Sequence, residues 1–172
     1  MKKAVHFGPT PGAFGVPLQD ITDQCTFSWD TAPTTIDSGT FPDSFLDKDH
    51  TTKLAFTSTY GGAGYQAKIF IDLPEACHAL LIPDIGAGAQ VGTDDSTRKI
   101  YFDFCLASEK NPGSGSVNIL LAGSGNYSER LIVKNQPLFR YGDKMGILFQ
   151  SSAAGDFKFE IFSIRILKIV GL

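Results

Sequence analysis

From residue 51 onward, apolar residues recur at every second position, in short runs closed by glycine-rich turns. Ala67, Ile69, Ile71 and Leu73 alternate with Gln66, Lys68 and Asp72, Phe70 being the exception. Ile100, Phe102, Phe104 and Leu106 form one face against Tyr101, Asp103 and Cys105. Val117, Ile119 and Leu121 repeat the pattern, as do Leu131 with Val133, and Met145, Ile147 and Phe149. A period of two sends successive side chains to opposite faces of a strand, so each run is a strand with one buried face. Tyr60-Gly61-Gly62-Ala63-Gly64, Asn111-Pro112-Gly113, Gly123-Ser124-Gly125-Asn126, Tyr141-Gly142-Asp143 and Ala154-Gly155-Asp156 supply the turns. Short alternating strands with such turns predict an all-β fold, an antiparallel β-sandwich of jelly-roll type. The expected core is Phe102, Phe104, Ile119, Leu121, Ile147, Phe149, Phe159 and Ile161. At 74–82 two patterns compete. Asp72-Leu73-Pro74-Glu75 has the form of a helix start, whereas Ala79-Leu80-Leu81-Ile82 reads as a buried strand. The β-pattern around it favours a turn at 74–76 and a strand at 77–82.

Residues 1–50 read differently from the β-domain at 51–172. Five of the nine prolines fall there, with seven acidic residues against three lysines. Isolated apolar anchors, among them Phe7, Phe14, Phe27, Trp29, Phe41 and Phe45, stand between Pro, Thr, Gly and Asp. The segment is too broken for a helix and too apolar for a disordered tail. It is expected to be an extended arm with one short strand, Cys25–Trp29, laid along its own domain or along a neighbouring copy. Its negative charge complements the late segment, where Arg130, Lys134, Arg140, Lys144, Lys158, Arg165 and Lys168 outnumber the acids.

The closing strand is the most specific stretch. In Phe159-Glu160-Ile161-Phe162-Ser163-Ile164-Arg165-Ile166 the alternation slips by one residue between Ile161 and Ile164. A strand that slips phase and keeps one face buried needs a β-bulge. This pattern resembles the last strand of galactose-binding-like jelly rolls, the family that includes many carbohydrate-binding modules. The resemblance spans about residues 51–170. It implies the sandwich fold and glycans as a ligand class. The family's pair of acids at the slip is replaced here by Phe162-Ser163, so any calcium-holding role of that pair has no counterpart in this chain.

The chain carries no pattern for catalysis. It contains no Gly-x-Ser-x-Gly elbow and no P-loop. Gly86-Ala87-Gly88-Ala89-Gln90-Val91 lacks both the sixth-position glycine and the βαβ context of a dinucleotide site. His6, His50 and His78 are scattered, no Cys-x-x-Cys occurs, and Cys77 and His78 must face opposite ways on a strand, so no metal or cofactor is expected. Glu109, Glu129 and Glu160 single out no pair of the kind glycosidases use. A net charge of −3 argues against a chain-wide grip on nucleic acid. Cys25, Cys77 and Cys105 are an odd, widely spaced set, expected to be free thiols. Met1-Lys2-Lys3 is not followed by the apolar run of a signal peptide or a membrane segment, which leads to an expectation of cytoplasmic synthesis.

Two functions from different classes follow. One is a non-enzymatic assembly protein of a virus particle, a capsid decoration or tail component of a phage. It would form homo-oligomers and meet other virion proteins through Phe7, Phe14, Trp29 and Phe162. The other is a carbohydrate-binding module. Its ligand-contacting aromatics would be Tyr60, Tyr127 and Tyr141, amphipathic rings placed at turns where they can face water.

Overall fold

A computed structural model describes residues 17–47, 51–59, 67–89, 99–108, 117–120, 131–134, 138–151 and 156–171. The strands are β1 (Leu18–Asp20), β2 (Thr26–Thr31), β3 (Thr35–Ser38), β4 (Leu54–Thr59), β5 (Ala67–Ala89), β6 (Lys99–Leu106), β7 (Val117–Leu120), β8 (Leu131–Lys134), β9 (Leu138–Ser151) and β10 (Asp156–Ile169). A 3-10 turn spans Thr22–Gln24, and one short helix, α1, covers Asp43–Leu46. Every strand pairing is antiparallel.

Hydrogen bonding makes one continuous sheet, but that sheet is folded over into two layers. The proof lies in two rings. Phe149 of β9 is paired with Ala67 at the start of β5, and Phe159 of β10 with Ala87 near its end. Twenty residues of straight strand would hold those positions roughly 65 Å apart. The ring centroids of Phe149 and Phe159 are 5.0 Å apart. β5 therefore bends and presents its two halves to each other across the core. The irregular register lies between Asp72 and Cys77, where Pro74, Glu75 and Ala76 are exposed. Proline has no amide hydrogen to give the ladder, so the pairing breaks there. The expected strand at 77–82 is present, but the expected turn at 74–76 is not: those residues are an irregular stretch inside one long bent strand.

The first layer runs β2, the early half of β5, the late half of β9, β6 and β7. The second runs β3, β4, β10, the late half of β5 and the early half of β9. β8 lies beside Asp84–Ala87, and β1 lies beside the end of β10. Between the layers, Phe56 stacks on Phe159 at 5.4 Å and meets Phe149 edge-on at 5.2 Å. Phe102, Phe104, Ile147, Phe149, Phe159 and Ile161 are all buried, as their alternation requires. Ile119 lies in β7, where only the backbone is described, and Leu121 lies outside the described residues. The slip in the closing strand is a real bulge: Ile161 faces Ile85, Ser163 faces Asp84, and Phe162 is the extra residue. It lets Phe159 and Ile161 before the slip, and Ile164 and Ile166 after it, face the same core.

Residues 17–47 are woven into this sandwich. Where the sequence suggests one short strand, the structure has three. β1 pairs with β10, β2 with β5 and β3 with β4. Each is only three to six residues long, which is what a proline-broken segment can supply to an open strand edge. Ile21, Phe27 and Phe45 enter the core. Between β3 and α1, Gly39 has φ +84°, and a Cβ there would stand 2.3 Å from the Lys53 carbonyl oxygen. Only glycine fits such a turn. The acidic early segment does meet the basic late one, through Asp20 and Arg165 at 3.2 Å.

Candidate functional site

The outer face of the second layer is apolar, and among the described residues part of it, at Leu18, Phe139 and Tyr141, is open to water while Leu167 is buried. Alternation along β10 puts Ile164 and Ile166 in the core, so Arg165, Leu167 and Ile169 point outward. Leu167 lies opposite Leu80 of β5, and Leu80 lies opposite Phe139 of β9. In the next row, Leu18 faces Ile169, and His78 faces Tyr141. Four strands thus contribute one continuous surface. Phe139 is 44%, Tyr141 58% and Leu18 49% exposed, with Val170 exposed at the margin.

Three rings occupy the β5/β9 side of this face. His78 lies nearly parallel to Phe139, with centroids 5.4 Å apart and planes 8° apart. It also meets Tyr141 at 4.6 Å and 47°. His78 is half-buried by these contacts, while the two outer rings keep large areas open to water. Contiguous exposed aromatic surface of this kind, unlike a lone exposed leucine, makes this face the candidate site.

On the face itself the charged side chain Arg165 is paired, and three further ion pairs lie elsewhere on the same strands. Arg165 Nη2 and Nε each donate to Asp20 Oδ2 at 3.2 Å. Burial raises the Asp20 carboxyl, but hydrogen bonds from the Thr22 hydroxyl and amide, together with Arg165, outweigh it and hold the group below its ordinary range. Lys168 pairs with Glu75, and the hydrogen bond to that carboxylate holds the ammonium above its ordinary range. Lys144 meets Asp72 at 3.2 Å, and Arg140 meets buried Asp103 at 3.6 Å.

Of the aromatics expected to touch a ligand, Tyr141 is on this face, while Tyr60 and Tyr127 lie outside the described residues. Of the expected assembly contacts, Phe7 and Phe14 lie outside them too. Trp29 is half-buried, stacked on Phe41 at 4.5 Å and edge-on to Phe56 at 5.6 Å. Phe162, expected as an outward residue on a covered surface and as an assembly contact, is only 9% exposed within the single chain, with Lys53 over its ring at 5.8 Å. Phe162 is the residue that the bulge leaves out of the pairing with β5. Sequence reasoning placed His78 outward and Cys77 inward, and both are so. It missed Phe139 as a site residue. Its signal was an aromatic-x-aromatic pair, Phe139-Arg140-Tyr141, at the outward phase of β9.

Among the described residues no group of three His, Cys, Asp or Glu side chains could hold a metal ion. Glu160 is engaged by Lys53. Cys25, Cys77 and Cys105 form no disulfide. Burial, with Cys77 and Asp20 nearby, pushes the Cys25 thiol up to about 12, and burial also raises Cys77. Both stay protonated and unreactive near neutrality. No described helix is long and apolar enough to cross a membrane.

No family model matches the chain, and no curated protein does. Among solved structures, it is similar to the family 32 carbohydrate-binding module of C. perfringens NanJ in complex with galactose. That match has 11% identity, covers 88% of this chain and all of the other, and has a TM-score of 0.41. The xylan-binding module CBM15 is 10% identical over 91% of this chain and 98% of its own, with a TM-score of 0.40. Arabinofuranosyltransferase AftD from Mycobacteria is 14% identical over 96% of this chain but only 13% of its own, with a TM-score of 0.42. At these scores the likeness carries no argument, and the sandwich rests on the strand pairing described above.

Proposed function

We propose that this chain is a carbohydrate-binding module that works by binding alone, through Phe139, His78 and Tyr141. The carrying observation is that Phe139 and Tyr141 are large aromatic rings left open on a flat sheet face while sharing His78 between them. A pyranose ring has a face of C–H groups that packs on the negative face of an aromatic ring, and hydroxyls at its rim that stay hydrated or bond to polar tips. The Tyr141 hydroxyl and the His78 ring nitrogens supply such tips. A glycan array with the intact chain, followed by titration of the best ligand against Tyr141→Ala and Phe139→Ala, tests this. Each variant should weaken binding about tenfold or more, the loss of one good aromatic contact. Unchanged binding in both would move the site elsewhere.

A second reading, docking onto protein in a larger assembly such as a virus particle, draws on the aliphatic margin of the same face. Leu18 and Val170 are exposed there and suit a protein interface better than a sugar. Light scattering distinguishes the two. A monomer that binds glycan favours the first reading, and a self-associating chain that binds none favours the second.

A further inference from the structure

Resting on the carbohydrate-binding reading, we infer that the ligand of this face is the apolar surface of an ordered polysaccharide, with chains packed side by side, and not a single soluble chain. The warrant is that apolar side chains continue across the sheet beyond the rings. One row runs through Phe139 of β9, Leu80 of β5, Leu167 of β10 and Asp20 of β1. In the next row Tyr141 stands opposite His78, and Ile169 opposite Leu18. Lys168 pairs with Ala79, so the same register brings Ile169 beside His78. Apart from Asp20 and His78, every side chain in the two rows is aliphatic or aromatic. The open areas lie at both ends, with Phe139 and Tyr141 at one and Leu18 and Val170 at the other. Three strand spacings, about 14 Å, separate those ends. Between them Leu80 and Ile169 are half-buried and Leu167 is buried.

Area and hydroxyl chemistry choose the ligand. Four strands about 4.8 Å apart, by two rows about 7 Å apart, tile roughly 250–300 Å². A stable protein pair buries about 800 Å² on each partner. The two rows are therefore too small to hold a second copy of this chain by themselves. A soluble glycan carries water on its hydroxyls. Laid across Leu80, Ile169 and Leu18, it would lose that water to side chains that cannot hydrogen-bond, and a polar group stripped in this way costs free energy. The polar tips of the two rows stand at opposite ends. The Tyr141 hydroxyl and the His78 ring lie at one, and at the other is the Asp20 carboxylate, which already accepts from Thr22 and Arg165. In a packed polysaccharide the hydroxyls bond to those of neighbouring chains, and the C–H faces of the sugars form the exposed sheet. Such a surface can meet the rings and the aliphatic end together, and apolar burial along both rows supplies the affinity.

The test is retention of the intact chain on crystalline cellulose and crystalline chitin, against titration with soluble oligosaccharides of the same sugars and retention on polystyrene beads. The expected result is binding to at least one crystalline solid that is about tenfold or more tighter than to its soluble oligosaccharide, with little retention on polystyrene. Leu18→Asp puts a charge at the end of the rows away from the rings. It should weaken retention on the solid about tenfold and leave the soluble oligosaccharide, which reaches the rings alone, unaffected. Leu18→Ser removes the same apolar contact without a charge and should act in the same direction, which keeps the test decisive if the aspartate disturbs β1. A soluble glycan bound as tightly as any solid, or retention on the solid that neither Leu18 variant changes, overturns the inference, while a loss of glycan binding in Tyr141→Ala leaves the carbohydrate reading intact. Binding to no glycan, solid or soluble, or retention on polystyrene equal to that on the solids, overturns both.

Discussion

On the outer face of the first layer, Lys68 is only 1% exposed, and Leu148, Asp103 and Cys105 are fully buried beside it. On the outer face of the second, Phe139 and Tyr141 stand about half in water. Both faces are built on the same two strands, β5 and β9. Burial here follows what lies above each face and not the polarity of its residues. Over the first, the turn after β6 comes back: the Ala107 carbonyl accepts from Lys68 Nζ at 2.7 Å, and its amide donates to the Lys144 carbonyl. The lysine stem is further enclosed by the Phe70 ring, 5.2 Å from the ammonium. A buried ammonium is tolerable only with such partners. Among the described residues nothing comparable lies over Phe139 and Tyr141, which is the physical case for a ligand there.

Four substitutions would break or sharpen that contrast. The largest effect removes what holds the two faces back to back. Phe159→Ala deletes a ring packed on Phe56 and Phe149 and should cost about 3–5 kcal/mol in urea unfolding. A loss under about a third of that would mean that the two layers do not meet through this ring. Next is the covered face. A Cβ at Gly146 would lie 2.7 Å from Lys68 Cε and 3.0 Å from Cys105 Sγ. Gly146→Ala should therefore destabilise by about 1–3 kcal/mol through overpacking. An unchanged midpoint would show that the covered face is loosely packed.

A smaller effect is expected at the border of the open face. Because the folded-state pKa of Asp20 is depressed, its stabilisation is present above the ordinary carboxylate range and is lost as pH falls through the folded value. The Asp20–Arg165 pair is well exposed, so Asp20→Asn should cost under about 1 kcal/mol near neutrality. It should also flatten the acid limb of the stability profile, and an identical limb in the variant would disprove the linkage. Smallest of all, Tyr141→Ala should leave thermal stability within about 0.5 kcal/mol of wild type, as for an exposed residue, while glycan binding falls. A large loss of stability would mean that Tyr141 is structural and the face is closed.

The fold was legible where one strand's own pattern decides it. The slip at Ile161–Ile164 announced a bulge because the alternation rule leaves no other way to keep four apolar residues on one core. The inward set Phe102, Phe104, Ile147, Phe149, Phe159 and Ile161 followed from the same rule. The site was legible only in part, since it depends on pairing between distant segments. Tyr141 could be singled out beside its turn, but His78 joins it only because β5 and β9 pair in a register that places these two opposite each other. Nothing near His78 in sequence encodes that. Residues 17–47 were legible only in part for a related reason: the Cys25–Trp29 run announced β2, but β1 and β3 did not show. Prolines make each piece too short to look like a strand, yet short pieces suffice when β4, β5 and β10 offer edges to pair with.

β1 and β10 lie side by side, and the Val170 amide donates to the Pro17 carbonyl at 3.0 Å. Pro17 and Val170 thus lie side by side at one edge of the sandwich. A unit of this geometry can be spliced into a loop of a larger host without prising that loop apart, because host segments running into Pro17 and out of Val170 would need almost no separation. The same point borders Leu18 and Ile169, so a host joined there would sit beside the aromatic face.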